Sequence, residues 1–461
     1  MRPKATIILL IIFIGLLGLV YFLEIKGKKE EKEEKLINIP SENVTKISLQ
    51  KENETFIFEK EKENKWKIVS PVEVEAEQYE VDRLADDFSD LKIERVVEET
   101  ATKKDLEKYK IPSTKVTLWT KDKTNPIVLL IGMENPLDQT LYAKREDDQR
   151  IVLIPSHLKS LIDKSLFDFR KKDIFEFEKD KVKKITVIGK KLSWEAIRKN
   201  EDEWFMEKPI KSLIESGKVS NLLYNLSSLR AQKFVSEEKT DEEIKKYGLD
   251  NPDFKVTLNF PSENKEITFF LTKKDDKLYA TTSLSSKIIT ADDLVITDLG
   301  KKPEELREKS VAVFYTFEVK KLEIKRNGKD FLLEEDEESN WNFVKPKKIR
   351  ADNSKVESFI RKIADLETKK FIDPPFKIEK YGLDKPQAEI NIWTEEDNKL
   401  KKHSLLVGFE NKDKKEVYIK NARLPYLFLV DSSFLEEFPK KMDDWIKKEE
   451  EKEKGKKNNE E

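Results

Sequence analysis

The side chains that most often carry out chemistry in proteins are scarce in this sequence of 461 residues. It contains two histidines, His157 and His403, twelve glycines and no cysteine. The lack of cysteine excludes disulfides, thiolate metal sites and cysteine nucleophiles, and two histidines offer little material for an imidazole metal site or a serine–histidine triad. His157 precedes a predicted helix, and His403 lies between lysines and a predicted strand. We expect a surface role for each histidine.

Acidic residues are abundant, with 92 Asp and Glu against 90 Lys and Arg and a formal net charge of −2. Two carboxylates are enough for glycoside hydrolysis, but acids interspersed with as many bases are more often solvated surface. The sequence also contains no GxSxG, HExxH, Walker-type or GxGxxG motif. We therefore predict no catalytic residue, no metal site and no cofactor. The near-neutral charge argues against a general nucleic-acid binder.

Tryptophan and proline reveal an internal repeat. Trp66, Trp204 and Trp341 recur at nearly equal intervals, and each is followed five residues later by a proline, which is Pro71, Pro209 or Pro346. Nearly the same interval separates Tyr142, Tyr279 and Tyr418, and also Arg170 and Arg307. Several anchors that share one period of about 137 residues indicate tandem duplication of a domain-sized unit rather than a solenoid of small repeats.

The elements that position these residues have the same order in each copy. Alternating stretches such as residues 55–58 and 65–69 are typical of antiparallel strands. An amphipathic helix follows, with apolar side chains at i, i+3, i+4, i+7 and i+10. These are Val81, Leu84, Ala85, Phe88 and Leu91; Val219, Leu222, Leu223, Leu226 and Leu229; and Val356, Phe359, Ile360, Ile363 and Leu366. Strands with helices on one face predict an α+β fold.

A tight turn after a second, short helix is the most specific local motif. The last two copies read Tyr-Gly-Leu-Asp-x-Pro, and the anchors are Tyr247, Gly248 and Pro252 in one and Tyr381, Gly382 and Pro386 in the other. A glycine that ends a helix supplies the left-handed residue of a Schellman-type cap, and the next leucine its apolar contact. The first copy keeps Tyr109 but has Lys110 in place of the glycine, so we expect a different turn geometry there.

An uncharged segment of nineteen residues begins at Ala5 and ends at Leu23. A helix of this length spans about 28 Å, close to the ~30 Å core of a bilayer. A cleaved signal peptide needs small residues at its cleavage site, whereas this segment continues into Tyr21 and Phe22, which favours an uncleaved anchor. The lysines that follow favour a cytoplasmic C-terminal part, but long domains translocate largely regardless of charge. We expect a single-pass protein of the cytoplasmic membrane with its bulk outside the cytoplasm.

The predicted organisation is a transmembrane helix followed by three tandem copies of one antiparallel-sheet-plus-helix domain. The boundaries are 1–25 for the anchor, 26–40 for a charged linker, 41–180, 181–317 and 318–446 for the repeat domains, and 447–461 for a disordered charged tail.

The combination of motifs behind one hydrophobic segment resembles the bacterial domain of unknown function 4340 over residues 40–445. The resemblance implies a membrane-anchored extracytoplasmic protein, often encoded beside components of a gliding-motility-type ABC transport system. The family has no assigned reaction, so the resemblance implies no catalytic residue.

The recurring tryptophans have two interpretations. They could stack on sugars or lipid headgroups, or each could anchor its own core against the helix. Recurrence at one place in every copy favours the core, and we interpret the recurring Trp, Pro, Tyr and Gly residues as structural anchors.

Two functions from different classes fit the sequence. The first is a non-enzymatic interaction or structural module that works with ABC-type transporter subunits. The second is a binding protein for an envelope lipid or glycan, held in an apolar cleft within or between the repeats and lined by aromatics such as Trp119 and Trp393.

Overall fold

The computed structural model of the chain describes residues 13, 15, 16, 34–61, 64–396 and 398–446. The chain divides into two compact units, one that ends at Lys172 and one that begins at Asp173. Most of the segment from Ala5 to Leu23, most of the predicted linker and the whole predicted tail 447–461 lie outside the described residues. Among the residues that are described, no helix combines the length and the apolar character needed to cross a membrane.

The first repeat is built on a nine-stranded antiparallel sheet with a separate pair of short strands. Its strands are β1 (Lys35–Asn38), β2 (Val44–Gln50), β3 (Thr55–Lys60), β4 (Trp66–Ser70), β5 (Val74–Glu75), β6 (Asp90–Lys92), β7 (Arg95–Glu98), β8 (Thr114–Thr120), β9 (Ile127–Glu134), β10 (Leu141–Arg145) and β11 (Ile151–Ile154). Its helices are α1 (Gln78–Ser89), α2 (Lys103–Lys108), α3 (Leu158–Ile162) and α4 (Leu166–Phe169). Strand β1 pairs with β6, so residues 35–38, which the sequence assigned to the linker, are part of this repeat.

The second repeat has a sheet of the same size. Its strands are β12 (Lys184–Gly189), β13 (Ser193–Arg198), β14 (Trp204–Lys208), β15 (Ser212–Ile214), β16 (Lys233–Ser236), β17 (Phe254–Phe260), β18 (Lys265–Lys274), β19 (Lys277–Thr282) and β20 (Ile288–Ala291). Its helices are α5 (Ser216–Ser227), α6 (Asp241–Lys246), α7 (Leu294–Leu299) and α8 (Pro303–Leu306).

The third repeat has the same sheet and one α-helix among its described residues, α9 (Asn353–Ala364). Its strands are β21 (Val319–Arg326), β22 (Lys329–Glu335), β23 (Trp341–Lys345), β24 (Ile349–Arg350), β25 (Thr368–Ile372), β26 (Ala388–Glu396), β27 (Lys399–Asn411), β28 (Glu416–Asn421) and β29 (Leu427–Asp431). The short helices of the other repeats are replaced by 3₁₀ turns at Ile378–Tyr381, Ser432–Glu437 and Met442–Trp445.

All three sheets have one topology. In the first, the strands lie side by side in the order β5-β4-β3-β2-β8-β9-β10-β11-β7, and the other two sheets repeat this order. The sheet therefore consists of two antiparallel meanders that meet where β2 pairs with β8. In the chain, the long helix lies between β5, at one edge of the sheet, and β7, at the other edge. The predicted tandem copies of an antiparallel sheet with helices are confirmed, although the strands dominate more than the term α+β suggests.

The core of each repeat forms where the long helix packs on the sheet. The first four residues of every predicted helical stripe are buried. The fifth residues, Leu91, Leu229 and Leu366, are also buried but lie beyond the ends of the helices. Alternation along β2 buries Ile47 and Leu49 in the same core. Burial of each such side chain contributes about 1.5–3 kcal/mol, so the shared stripe determines where the helix lies.

The turn after the short helix closes with the same backbone hydrogen bond in all three repeats. This bond joins the N–H of Ile111 to the carbonyl of Leu106, Leu249 to Ile244 and Leu383 to Ile378, with N···O distances of 2.9, 2.8 and 3.1 Å. Gly248 and Gly382 have the expected positive φ, +73° and +68°, and Lys110 adopts the left-handed conformation as well, with a φ of +54°. The expectation of a different geometry in the first repeat is therefore wrong for the cap itself. The first repeat differs only after the cap, where the peptide bond before Pro112 is cis.

Each repeat closes one edge of its sheet with its own C-terminal segment. Isolated β-bridges join Ala76 to Arg170, Ile214 to Arg307 and Ala351 to Ile446. In the second unit another bridge joins Ser310 to Glu367, just before β25. The segment that leaves the second repeat thus pairs with the edge of that repeat and then with the third.

Candidate functional site

The recurring tryptophans lie inside the repeats. Trp66, Trp204 and Trp341 begin equivalent strands and are each 2% exposed. The first residue of α1, Gln78, accepts a hydrogen bond from the Trp66 N–H at 2.6 Å and donates to the Trp66 carbonyl at 2.9 Å. Asn353, the first residue of α9, accepts from the Trp341 N–H at 2.9 Å. Trp66 and Trp341 thus join a strand to the helix, and the burial of all three indoles leaves no ring face open to a sugar or lipid.

The predicted proline anchors end or follow strands. The peptide bonds that precede Pro71, Pro209 and Pro346 are cis in all three repeats, at the end of the strand that begins with the tryptophan. Pro252 and Pro386 follow the capped turn and come just before β17 and β26. These prolines therefore mark where a strand stops or starts.

The recurring tyrosines pair with one another. The ring centroids lie 4.2 Å apart for Tyr109 and Tyr142, 4.9 Å for Tyr247 and Tyr279, and 4.8 Å for Tyr381 and Tyr418. The first tyrosine of each pair comes from the capped turn and the second from a strand. Each pair therefore holds the turn against the sheet, a structural task that explains the recurrence of both residues.

Trp119 lies on β8 in the first unit and Trp393 on β26 in the second, each beside lysine side chains. The Lys46 ammonium lies 5.3 Å from the Trp119 ring, and Lys321 and Lys402 lie 5.4 and 5.1 Å from the Trp393 ring. Lys46 also pairs with Glu59 on β3 at 2.7 Å. Each indole is half-buried on its own sheet and lies beside ammonium groups, which can approach its ring face.

The side chain of Arg307 connects the second repeat to the third within the second unit, and we call its surroundings the junction. Its guanidinium is buried and bonds both carboxylate oxygens of Asp373 at 2.9 and 2.8 Å, while Nε donates to the Ser212 hydroxyl at 3.0 Å. The rings of Phe371 and Tyr426 lie 3.7 and 4.7 Å from its Cζ atom. The guanidinium is planar, is hydrogen-bonded to both Asp373 and Ser212 and is covered by two rings. The two repeats can therefore pack around it in few orientations.

Two further contacts cross the junction. The hydroxyl of Tyr426 accepts a hydrogen bond from the Leu213 N–H at 3.3 Å, and burial raises the pKa of this phenol, which keeps it neutral. At the rim, Arg423 forms an ion pair with Glu203 at 3.2 Å. The junction therefore has a buried polar centre and a solvated edge.

His403 is buried near this junction, which corrects the expectation of a surface histidine. It is 2% exposed, its Nε2 lies 3.1 Å from Thr394 Oγ1, and its ring lies 5.5 Å from that of Phe314. Burial and, to a smaller extent, the charges of Lys401 and Arg423 lower the pKa of the imidazole to about 4. His403 is consequently neutral at pH 7.

Strand pairing shows which residues of the second repeat correspond to Thr394 and His403. Ile392 pairs with His403 in the third repeat as Leu258 pairs with Ile267 in the second. The same register places Thr394 where the second repeat has Phe260, and both Phe260 and Ile267 are buried. A polar pair thus occupies an apolar position of the shared fold.

Two cavities open at the junction. One, of about 410 Å³, is lined by His403, Asn421 and Arg423 together with apolar side chains of both repeats. The other, of about 670 Å³, has a lining rich in carboxylates, with Lys401 as its one base. The polar groups of the first cavity have partners within the fold: His403 contacts Thr394, Asn421 donates to the Val311 carbonyl, and Arg423 pairs with Glu203. Thr394 and His403 are both buried, so their contact is structural.

His157 lies where the sequence placed it, before helix α3 in the first unit. It borders a polar cavity of about 930 Å³ together with Asp86, Asp87 and Glu94. The His157 Nε2 atom is 3.6 Å from an oxygen of Asp87. Across the described ranges, no group of three His, Asp or Glu residues is arranged to hold a metal ion.

A family model matches most of the chain. It is described as Domain of unknown function (DUF4340), and its three matches cover residues 66–243, 204–377 and 341–457. Each match begins at one of the recurring tryptophans. The chain belongs to this family. Because the DUF4340 model is longer than the repeat period, consecutive matches overlap, and the family unit extends from the tryptophan strand of one repeat into the next.

Other comparisons add little to the family assignment. No curated protein matches the chain. Similar solved structures include a DNA polymerase sliding clamp from Pseudomonas aeruginosa with ligand, at 8% identity over 86% of this chain and 93% of that one, with a TM-score of 0.16. The DNA polymerase III subunit beta of the same organism shows 9% identity over 90% and 95%, with a TM-score of 0.17. TM-scores this low support no conclusion about fold or function.

The contacts of Arg307 at the junction were not predicted from the sequence. The recurrence of Arg170 and Arg307 was the available signal, because a buried arginine at a domain end needs a partner nearby. Asp373 and Tyr426 belong to no repeated motif, so nothing in the sequence connected them with Arg307.

Proposed function

We propose that this DUF4340 protein is a non-enzymatic interaction or structural protein. The segment from Ala5 to Leu23 holds it at the cytoplasmic membrane, with the three repeats outside the cytoplasm. There it serves as an accessory of an ABC-type transport or gliding-type system.

One observation supports this proposal above the others. The side chains that recur in every repeat are used within the fold: the tryptophans are buried, the tyrosines hold the turn, and the left-handed residues end a short helix. The third repeat differs from the second near the junction, where Thr394 and His403 stand in place of Phe260 and Ile267. Shared scaffolding with local differences at a repeat boundary suits an interaction protein.

The test is chemical cross-linking in intact cells, followed by detergent extraction and purification of the full chain. The proposal expects a transporter permease among the cross-linked proteins. A matched control replaces residues 5–23 with an unrelated membrane span, which keeps the location and leaves the repeats unchanged, and it should capture the same permease. Absence of any permease from repeated preparations of the wild-type chain contradicts the proposal.

Orientation has its own test. Protease added to intact spheroplasts should cleave the repeats, because they lie outside the membrane. If the repeats are protected until the membrane is disrupted, the proposed orientation is wrong.

A second candidate function is binding of an envelope lipid or glycan. The observation that favours it is that Trp119 in the first unit and Trp393 in the second each lie beside a lysine, since an indole next to an ammonium group suits anionic sugars or headgroups. Mass spectrometry of the purified chain distinguishes the two: lipid or glycan recovered without any protein partner favours this function.

A further inference from the structure

The segment that joins the second repeat to the third exposes three large apolar side chains. Val313, Tyr315 and Phe317 are 55%, 63% and 76% exposed. The rings of Tyr315 and Phe317 stack on each other with centroids 5.5 Å apart and an interplanar angle of 24°. The pair is thus held in one arrangement while most of its surface faces solvent. Exposed aromatic groups of this kind mark interaction sites more often than isolated apolar residues do.

The corresponding segment of the second repeat shows that the fold does not require this exposure. There Phe175 and Phe177 also stack, with centroids 6.4 Å apart. However, Phe177 packs into the core against Phe260 and Phe269, at 5.8 and 6.2 Å, and Lys265 covers Phe175.

In the third repeat, the ring at this inward-facing position belongs neither to Tyr315 nor to Phe317. That role belongs to Phe314, which lies one repeat period after Phe177 and contacts His403. Tyr315 and Phe317 are therefore additional to the core.

The charged groups beside these rings are mostly acidic. The cavity of about 670 Å³ is lined by Val313 and Tyr315 and by seven carboxylates from both repeats. Those of Glu201, Glu318 and Glu395 form no ion pair or hydrogen bond within the described part of the chain. Lys401, the one base in the lining, is paired with Glu396 at 3.0 Å. This surface attracts cations and repels anionic lipid headgroups.

We propose that Val313, Tyr315 and Phe317, together with these unpaired carboxylates, form a docking surface for a segment of a partner protein that carries lysine or arginine beside apolar side chains. We call it the aromatic–acidic surface. The apolar side chains of the segment would cover the exposed rings, and its cations would lie against the ring faces and the carboxylates. The proposal rests on the interaction function proposed above and names the chemistry of the partner.

A binding titration with the full chain in detergent tests the surface. The probe is a short fluorescein-labelled peptide of alternating lysine and leucine, and its control is the same peptide with glutamate in place of lysine. The wild type should bind the lysine peptide, more weakly as salt is raised, and should not bind the glutamate peptide. The variant with Tyr315→Ser and Phe317→Ser should bind about tenfold more weakly, as expected for loss of anchor aromatics. The variant with Glu318→Gln and Glu395→Gln should lose several-fold.

Matched controls lie on other exposed positions of the chain. Tyr79→Ser removes a tyrosine that is 70% exposed, and Glu337→Gln with Glu379→Gln removes two exposed carboxylates elsewhere in the third repeat. Both controls should bind the lysine peptide as the wild type does, and unchanged melting temperatures show that all variants fold. The proposed docking surface is wrong if the surface variants bind the lysine peptide as well as the control variants do, or if the wild type does not bind it.

Repeating the cell cross-linking with these variants separates the two proposals. If the wild type captures a membrane partner and the Tyr315/Phe317 variant loses it, both are supported. If the variant captures the partner as well as the wild type does, the surface is wrong and the interaction function stands. If even the wild type captures no partner, the interaction function fails.

Discussion

Arg307 and Asp373 form a doubly hydrogen-bonded pair across the boundary between the second and third repeats, with N···O distances of 2.9 and 2.8 Å. The arginine is buried, whereas 40% of the Asp373 side chain is exposed. The arginine comes directly after α8, at the end of the second repeat, and the aspartate directly after β25. The second unit therefore contains two repeats that are joined by a charged pair rather than by a flexible linker.

Substitution of Arg307 by alanine should destabilise the second unit. The change leaves a carboxylate without its partner and removes the group that Phe371 and Tyr426 cover, so we expect a loss of about 3 kcal/mol in the free energy of unfolding. Urea denaturation followed by hydrogen exchange of peptides from residues 173–446 measures it. Arg423→Ala is the matched control, because its pair with Glu203 is solvated and should contribute less than about 1 kcal/mol. Similar losses for the two variants would contradict this account.

The stability of the third repeat should depend on pH through His403. Its pKa is about 4 in the folded chain, below its ordinary value of 6.5, so the unfolded chain binds more protons between these values. The contribution of neutral His403 to the free energy of unfolding is complete above pH 6.5. It is lost progressively as the pH falls from there through 4, by up to about 3 kcal/mol. Denaturation at a series of pH values measures this slope. The variant His403→Ile, which installs the residue of the second repeat, should show a flatter profile over this window. An unchanged slope would show that other groups cause it.

Two tryptophans of the third repeat should respond differently to removal. Trp341→Ala empties a core position and should cost about 3–5 kcal/mol. Trp393→Ala removes a half-exposed ring between two lysines and should cost about 1 kcal/mol. Hydrogen exchange of the third repeat in both full-length variants provides the comparison. Equal losses would place Trp393 in the core, against the burial described above.

The left-handed lysine of the first repeat offers a stabilising substitution. Lys110→Gly relieves a non-glycine residue at a φ of +54°, and we expect a gain of about 0.5–1 kcal/mol in the first unit. The converse change, Gly248→Ala, should cost about 1 kcal/mol in the second unit, where the φ is +73°. Thermal melts of both variants test the pair. A loss of stability in Lys110→Gly would show that the lysine side chain makes a contribution larger than the relief of its backbone.

Local periodicity made much of the fold predictable. The helical stripe that contains Val81 and Leu84 is read directly from spacing, and so is the cap at Gly248, because both depend on residues a few positions apart. The order of nine strands is not readable in this way, since it depends on pairings such as β7 with β11, between which three other strands and a helix intervene in the chain. The repeat itself was predictable because duplication copies the anchors with their spacing.

The junction could not be predicted from the sequence, because it does not depend on residues a few positions apart. Arg307, Asp373 and Tyr426 are separated in sequence and occur together only when two repeats are packed. His403 was misplaced because the adjacent Lys402 indicates solvent, whereas alternation along β27 turns the histidine inward. A charged neighbour in a strand says nothing about the residue beside it, since successive side chains point to opposite faces.

The bridges that join Ala76 to Arg170, Ile214 to Arg307 and Ala351 to Ile446 bear on how such a chain changes in evolution. Because every copy seals its edge with its own last residues, a gene duplication that inserts or removes one whole copy at that seam leaves no unpaired strand behind. Length in this architecture can therefore vary in steps of one repeat, with the same building block used each time.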